Sequence, residues 1–125
     1  MFQILIVEDN VPFRQSFKEM LCEQFPSMSV EEAQDGEDAL GKLETLSIHL
    51  VFMDIKLPGQ SGFEVTRTIK ARYPEVKVII LTSYDLPEYR EAASEYGADY
   101  FLSKGSSSRE EILALVDTVS DELME

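Results

Sequence analysis

Four short apolar runs in this chain each end in a residue able to do chemistry. Ile4-Leu5-Ile6-Val7 leads into Glu8-Asp9, and Leu50-Val51-Phe52-Met53 leads into Asp54. Val78-Ile79-Ile80-Leu81 leads into Thr82-Ser83, and Tyr100-Phe101-Leu102-Ser103 leads into Lys104. If the runs are neighbouring parallel strands, these polar groups converge at the carboxyl edge of one sheet, the crevice where open α/β sheets bind ligands. Three carboxylates meeting one hydroxyl and one ammonium describe a site for a divalent cation and a phosphoryl group.

The electrostatics support that reading. Buried like charges raise one another's pKa and destabilise a fold unless a cation joins them. Mg²⁺ (or Mn²⁺) fits Glu8, Asp9 and Asp54, because Mg²⁺ takes one or two carboxylates plus a phosphate and keeps several waters. Asp54 is the candidate nucleophile: a carboxylate in line with a metal-bound phosphoryl donor can form an acyl phosphate. Lys104 would neutralise charge growing on the phosphoryl oxygens, and Thr82 can hydrogen-bond one of them. Each residue also has a plain structural use. Glu8 and Asp9 could be helix N-terminal acids favoured by the macrodipole, Thr82 a β-branched strand end and Lys104 a surface lysine. Their gathering on adjacent strand ends argues for the chemistry. Other phosphate sites lack their parts, since there is no G-x-x-x-x-G-K-[ST], G-x-G-x-x-G or G-x-S-x-G. The lone His49 has no spaced ligand partners and reads as structural.

The elements that must position these groups alternate between short apolar runs and helical patterns, the signature of βαβ units. Strands are expected over 2–7, 27–33, 50–54, 76–81 and 100–103. The first helix carries Phe13, Phe17, Met20, Leu21 and Phe25, and Pro26 stops it. The second is capped by Asp35 and carries Ala39, Leu40, Leu43 and Leu46. Ser61 caps the third, with Phe63, Ile69 and Tyr73 before Pro74. Asp85 with Glu88 resembles a capping arrangement for the fourth, Pro87 suits its first turn, and Gly97 ends it. Ser107 with Glu110, or Ser108 with Glu111, opens the last, whose Ile112, Leu115, Val116, Val119 and Leu123 face inward. Right-handed crossovers then give a doubly wound (βα)5 three-layer sandwich. Its parallel sheet has the order 2-1-3-4-5, so Asp9 and Asp54 face each other at the topological switch point.

Composition narrows the function classes. The 125 residues suit one domain spanning 1–125, and no apolar stretch approaches the length of a membrane span. Twenty-four acids against eleven bases give a net charge of −13, which repels nucleic acid and anionic membranes, so neither is an expected partner of this chain. A cytoplasmic location is expected. The single Cys22 falls within an apolar helical stripe and is expected to be a buried, inert thiol.

Together the segments Ile6-Val7-Glu8-Asp9-Asn10, Met53-Asp54-Ile55-Lys56-Leu57-Pro58-Gly59, Gly62, Leu81-Thr82-Ser83 and 97–104 resemble a bacterial response-regulator receiver domain. The resemblance spans essentially the whole chain and implies a flavodoxin-like fold. It implies that Asp54 is the phosphorylated aspartate, that Glu8 and Asp9 organise Mg²⁺, and that the backbone carbonyl of Lys56 completes the protein's metal ligands. Thr82 would be the switch hydroxyl, Lys104 the phosphate-contacting lysine and Phe101 the aromatic switch residue. Gly105 follows the lysine where many receivers have a proline, so a trans peptide is expected there. Lys104-Gly105-Ser106-Ser107-Ser108 resembles receivers that precede LuxR-type output domains.

The implied function is a switch: a histidine kinase or phosphotransfer protein phosphorylates Asp54, and the helix 4-strand 5-helix 5 surface changes to control homodimerisation or an output partner in transcription regulation. Enzymatic turnover is not expected beyond self-phosphorylation from small donors and slow autodephosphorylation. Two other classes stay open. One is a phosphorylation-independent interaction module. The other is an aspartyl phosphatase, disfavoured because Lys56 stands where such enzymes commonly place a second aspartate.

Overall fold

The computed structural model describes residues 1–124; Glu125, the last residue of the domain expected over 1–125, lies outside the described residues. Its strands are β1 (Gln3–Val7), β2 (Ser29–Ala33), β3 (Leu50–Met53), β4 (Lys77–Thr82) and β5 (Tyr100–Ser103). Between and after them lie α1 (Val11–Gln24), α2 (Gly36–Thr45), α3 (Gly62–Arg72), α4 (Pro87–Glu95) and α5 (Arg109–Leu123). All strand pairs are parallel and the order is β2-β1-β3-β4-β5, as the alternation of patterns predicts.

Because side chains alternate across a strand, the sheet divides its apolar residues between two cores. Leu5, Val7, Val51, Met53, Val78 and Ile80 face α2, α3 and α4, packing on Ala39, Leu43, Val65, Ile69 and Ala93. Ile4, Ile6, Phe52, Ile79 and Leu81 face α1 and α5, packing on Phe17, Leu21, Ile112, Val116 and Val119. The three central strands are therefore apolar on both faces, as parallel sheets covered by helices require. Edge strand β2 buries only Val30 and Ala33.

Local chemistry sets the helix starts. The side chains of Asn10, Asp35, Ser61 and Ser108 accept N–H bonds from Phe13, Asp38, Phe63 and Glu111, respectively. Ser108 is thus the cap of α5, while the Ser107 hydroxyl accepts the N–H of Ser103. The expected Asp85 cap of α4 is not formed. Leu86 is the N-cap without a side-chain bond, because Asp85 is engaged by Arg90 at 2.7 Å and by the Ser106 hydroxyl at 3.3 Å. Pro87 does open that helix, and Gly97 follows it at φ 95°.

Three strands start a residue or two later than the apolar pattern suggests. The Met28 and Val76 N–H groups are taken by turns that bond them to Phe25 and Tyr73, and Phe2 meets the sheet only through its carbonyl, which accepts the Ser29 N–H. Cys22 is a clear correction: it is exposed. Phe17 and Leu21 hold the inward stripe of α1, and one further residue turns ~100° around the helix axis toward solvent. All peptide bonds among the described residues are trans, including the one before Gly105.

Candidate functional site

The strand register delivers the chemistry to one place. Val7 pairs with Met53 across β1 and β3, so Glu8 and Asp54 leave the sheet side by side, with the Asp54 N–H bonded to the Val7 carbonyl at 3.1 Å. Thr82 pairs with Ser103 across β4 and β5, and the Lys104 N–H bonds the Thr82 carbonyl at 2.8 Å. Carboxylate oxygens of Glu8, Asp9 and Asp54 all lie within 4.8 Å of one another. Glu8 and Asp54 are 2% and 8% exposed, whereas Asp9 is open to solvent at the rim.

Each acid is held differently. Glu8 directs Oε1 to the Lys104 ammonium, and its Oε2 accepts the Asn10 N–H at 3.0 Å. Asp54 Oδ1 accepts the Ile55 N–H at 2.9 Å, while Oδ2 lies 3.7 Å from Lys104 Nζ. Burial first, then the negative charge of Glu8, push the Asp54 carboxyl up from 3.8 to about 6, and Lys104 only partly opposes them. A carboxylate strained in this way favours any cation that comes to it.

The donor set fits a hard divalent cation. All three clustered side chains offer oxygen, the ligand type such ions require. Three carboxylates against the single ammonium of Lys104 leave two negative charges over, which a doubly charged ion matches. The cluster is also open on the Asp9 side, where a hydrated ion could enter.

The other expected residues are placed as follows. Thr82 is fully buried, and its hydroxyl accepts the Tyr84 N–H at a long 3.3 Å. Lys56 is exposed in the loop after Asp54, its ammonium 5.3 Å from the Tyr84 ring centroid. Phe101 is half-buried against the α2–α4 core with the Arg90 guanidinium 4.7 Å above its ring, while Tyr100 points into the opposite core. His49 lies away from the site. It accepts the Gln3 N–H at Nδ1 and stacks on Phe2, and burial depresses its pKa.

Two residues that the sequence reading does not single out for the site are part of its frame. Arg14 donates to the Glu8 carbonyl at 2.6 Å and to Glu32 on β2 at 2.9 Å, fixing the main chain that carries the acids. That hydrogen bond from Arg14 is the first reason the Glu32 carboxyl lies below its usual range. Phe13 places its ring 4.2 Å from Lys104 Nζ. Helical spacing marks Phe13 only as apolar, and nothing local in sequence links it to a residue just past β5. Gly62, by contrast, is explained by the fold: a Cβ there would lie 1.9 Å from the Asp54 carbonyl oxygen, so only glycine lets α3 start against that strand end.

At the carboxyl edge of this doubly wound sheet a buried aspartate, two further carboxylates and a lysine ammonium meet. The sequence matches the response regulator receiver domain over residues 4–117. It is 34% identical over 102 residues to the transcriptional regulatory protein DegU of Brevibacillus brevis, covering 82% of this chain and 43% of that protein. It is 30% identical to the response regulator GacA of Pseudomonas protegens over 92% of this chain and 54% of that protein. Among solved structures, the response regulator TrrA of Thermotoga maritima in complex with Mg²⁺-BeF superposes with a TM-score of 0.85 at 34% identity, covering 95% of this chain and 99% of that one. A CheY-like receiver of Methanospirillum hungatei gives 0.87 at 30%, covering 98% and 95%. The chain belongs to the response regulator receiver domain family, the phosphorylation-activated switch modules of two-component systems. It spans about half the length of these two curated relatives.

Proposed function

We propose that Asp54 accepts a phosphoryl group from a sensor histidine kinase or a histidine phosphotransfer protein. The observation that carries the reading is the buried Asp54, pushed up in pKa, within reach of both a carboxylate cluster and the Lys104 ammonium. An Asp54 oxygen attacks phosphorus; the P–O bond forms as the P–N bond to the donor imidazole breaks, and the imidazole nitrogen keeps the electron pair. Mg²⁺ held by Glu8, Asp9, Asp54 and the Lys56 carbonyl would neutralise charge on the carboxylates and the phosphoryl oxygens. Lys104 pairs with a further phosphoryl oxygen.

The signal then passes through Thr82. Its hydroxyl is buried beside the site and carries only a long hydrogen bond, so a phosphoryl oxygen is the better partner. Drawing Thr82 inward moves the loop that carries Tyr84 and Asp85. Asp85 holds Arg90 and Ser106, and Arg90 covers Phe101, so the move frees Phe101 to turn toward the vacated space. The surface of α4, β5 and α5 changes with it and controls homodimerisation or an output partner. Similarity to the transcriptional regulatory protein DegU supports transcription regulation as that output. The chain acts as a switch in the cytoplasm and not as an enzyme turning over external substrates.

Incubation with acetyl phosphate and Mg²⁺, followed by intact-mass measurement, tests the proposal. One phosphoryl mass is expected on the wild type and none on Asp54→Asn. A gain on both proteins would refute Asp54 as acceptor.

A further inference from the structure

Lys104 sits just beyond β5 on a flexible four-carbon stem, and a mobile ammonium is a poor partner for a phosphoryl oxygen. Glu8 cannot be its only anchor, because Glu8 is shared with Asn10 and with the carboxylate cluster. Phe13 is a contact of Lys104 that carries no competing charge. The ammonium lies 4.2 Å from the ring centroid and the side chain is 15% exposed, so the ring's negative face acts on a largely dried charge.

The ring is itself held. Phe13 stacks on Phe17 at 5.6 Å, and Phe17 meets Phe52 edge-on at 4.9 Å. Phe52 is 1% exposed and lies on β3, two residues before Asp54. Three aromatic rings therefore reference the Lys104 ammonium to the strand that carries the acceptor. One side of Phe13 also borders an open groove between α1 and α5 lined by Met20, Arg109 and Ile112, into which an unheld lysine could swing.

We propose that Phe13 is a positioning residue for Lys104, its ring aiming the ammonium at Asp54 through a cation–π contact. The proposal rests on the phosphoryl-transfer reading of Lys104. Leucine at this position would keep the apolar bulk and lose the quadrupole; tyrosine would keep both.

Two readouts test it. In the cation-free protein, the Lys104 ε-methylene protons should show an upfield ring-current shift by NMR, lost in Phe13→Leu and retained in Phe13→Tyr. With acetyl phosphate and Mg²⁺, Phe13→Leu should be phosphorylated about three- to tenfold more slowly, and Phe13→Tyr should recover most of the rate. In a Lys104→Met background, adding Phe13→Leu should cost nothing further, which a merely structural loss would not reproduce. An unshifted ε-methylene, or an equal loss in both backgrounds, overturns the proposal. A Lys104→Met protein phosphorylated at the wild-type rate overturns the reading of Lys104 on which it rests, and the NMR shift tells that failure apart from a missing contact.

Discussion

Asp54→Asn should make the cation-free protein more stable at neutral pH, although it removes the central functional group. Burial and the charge of Glu8 displace the Asp54 pKa from 3.8 to about 6. At ~1.4 kcal/mol per pH unit, that displacement is worth at most ~3 kcal/mol. A folded-state pKa that is raised gives stability present in full below the unfolded value and lost as pH rises through the folded one. The ionised carboxylate thus costs the fold up to ~3 kcal/mol at pH 7.5, about half as much at pH 5, and little below pH 4. Asparagine has no such slope, and its side-chain oxygen can still accept the Ile55 N–H. Urea titrations without divalent cation should therefore find the variant ~1–3 kcal/mol more stable at pH 7.5, with the gap roughly halved at pH 5. Millimolar Mg²⁺ at pH 7.5 should raise the wild type much more than the variant. Equal stabilities at pH 7.5, or a gap that widens on acidification, would refute the electrostatic account of the site.

Three other expectations follow from particular contacts. Gly62→Ala drives a methyl into the Asp54 carbonyl and should cost ~3 kcal/mol or more in a urea titration; a wild-type midpoint would contradict the close approach. Thr82→Ala should still gain phosphoryl mass on Asp54 but leave the NMR resonances of Phe101 unchanged by phosphorylation, and it should lower stability by ~1 kcal/mol. His49 is held neutral by burial, so the stability it supports is present above its usual 6.5 and lost as pH falls below it. His49→Gln should flatten that acid limb, measured as the difference in thermal midpoint between pH 7.5 and pH 5.5.

The parts of this molecule legible in the sequence are those set by local patterns. Apolar runs bounded by polar ends, with helical spacing between them, place five strands and therefore the strand ends where Glu8, Asp54, Thr82 and Lys104 emerge. Three of the four expected caps form, because an Asp or Ser needs only its own next turn to accept an N–H. Asp85 fails as a cap because Arg90, five positions on, and Ser106, twenty-one positions away, compete for its oxygens. Cys22 is misplaced because an apolar residue type says less about facing than its angular position beside Leu21. Phe13 over Lys104 and Arg14 on the Glu8 carbonyl lie beyond sequence reading, since both depend on how α1 packs over the end of the sheet.

The most direct test of the central claim is to trap the acyl phosphate chemically and locate it. Wild-type protein treated with acetyl phosphate and Mg²⁺, then with borohydride, should yield homoserine at position 54 in peptide mass spectra. Homoserine elsewhere, or none in a sample whose intact mass has risen by one phosphoryl group, would contradict the assignment of Asp54 as the acceptor.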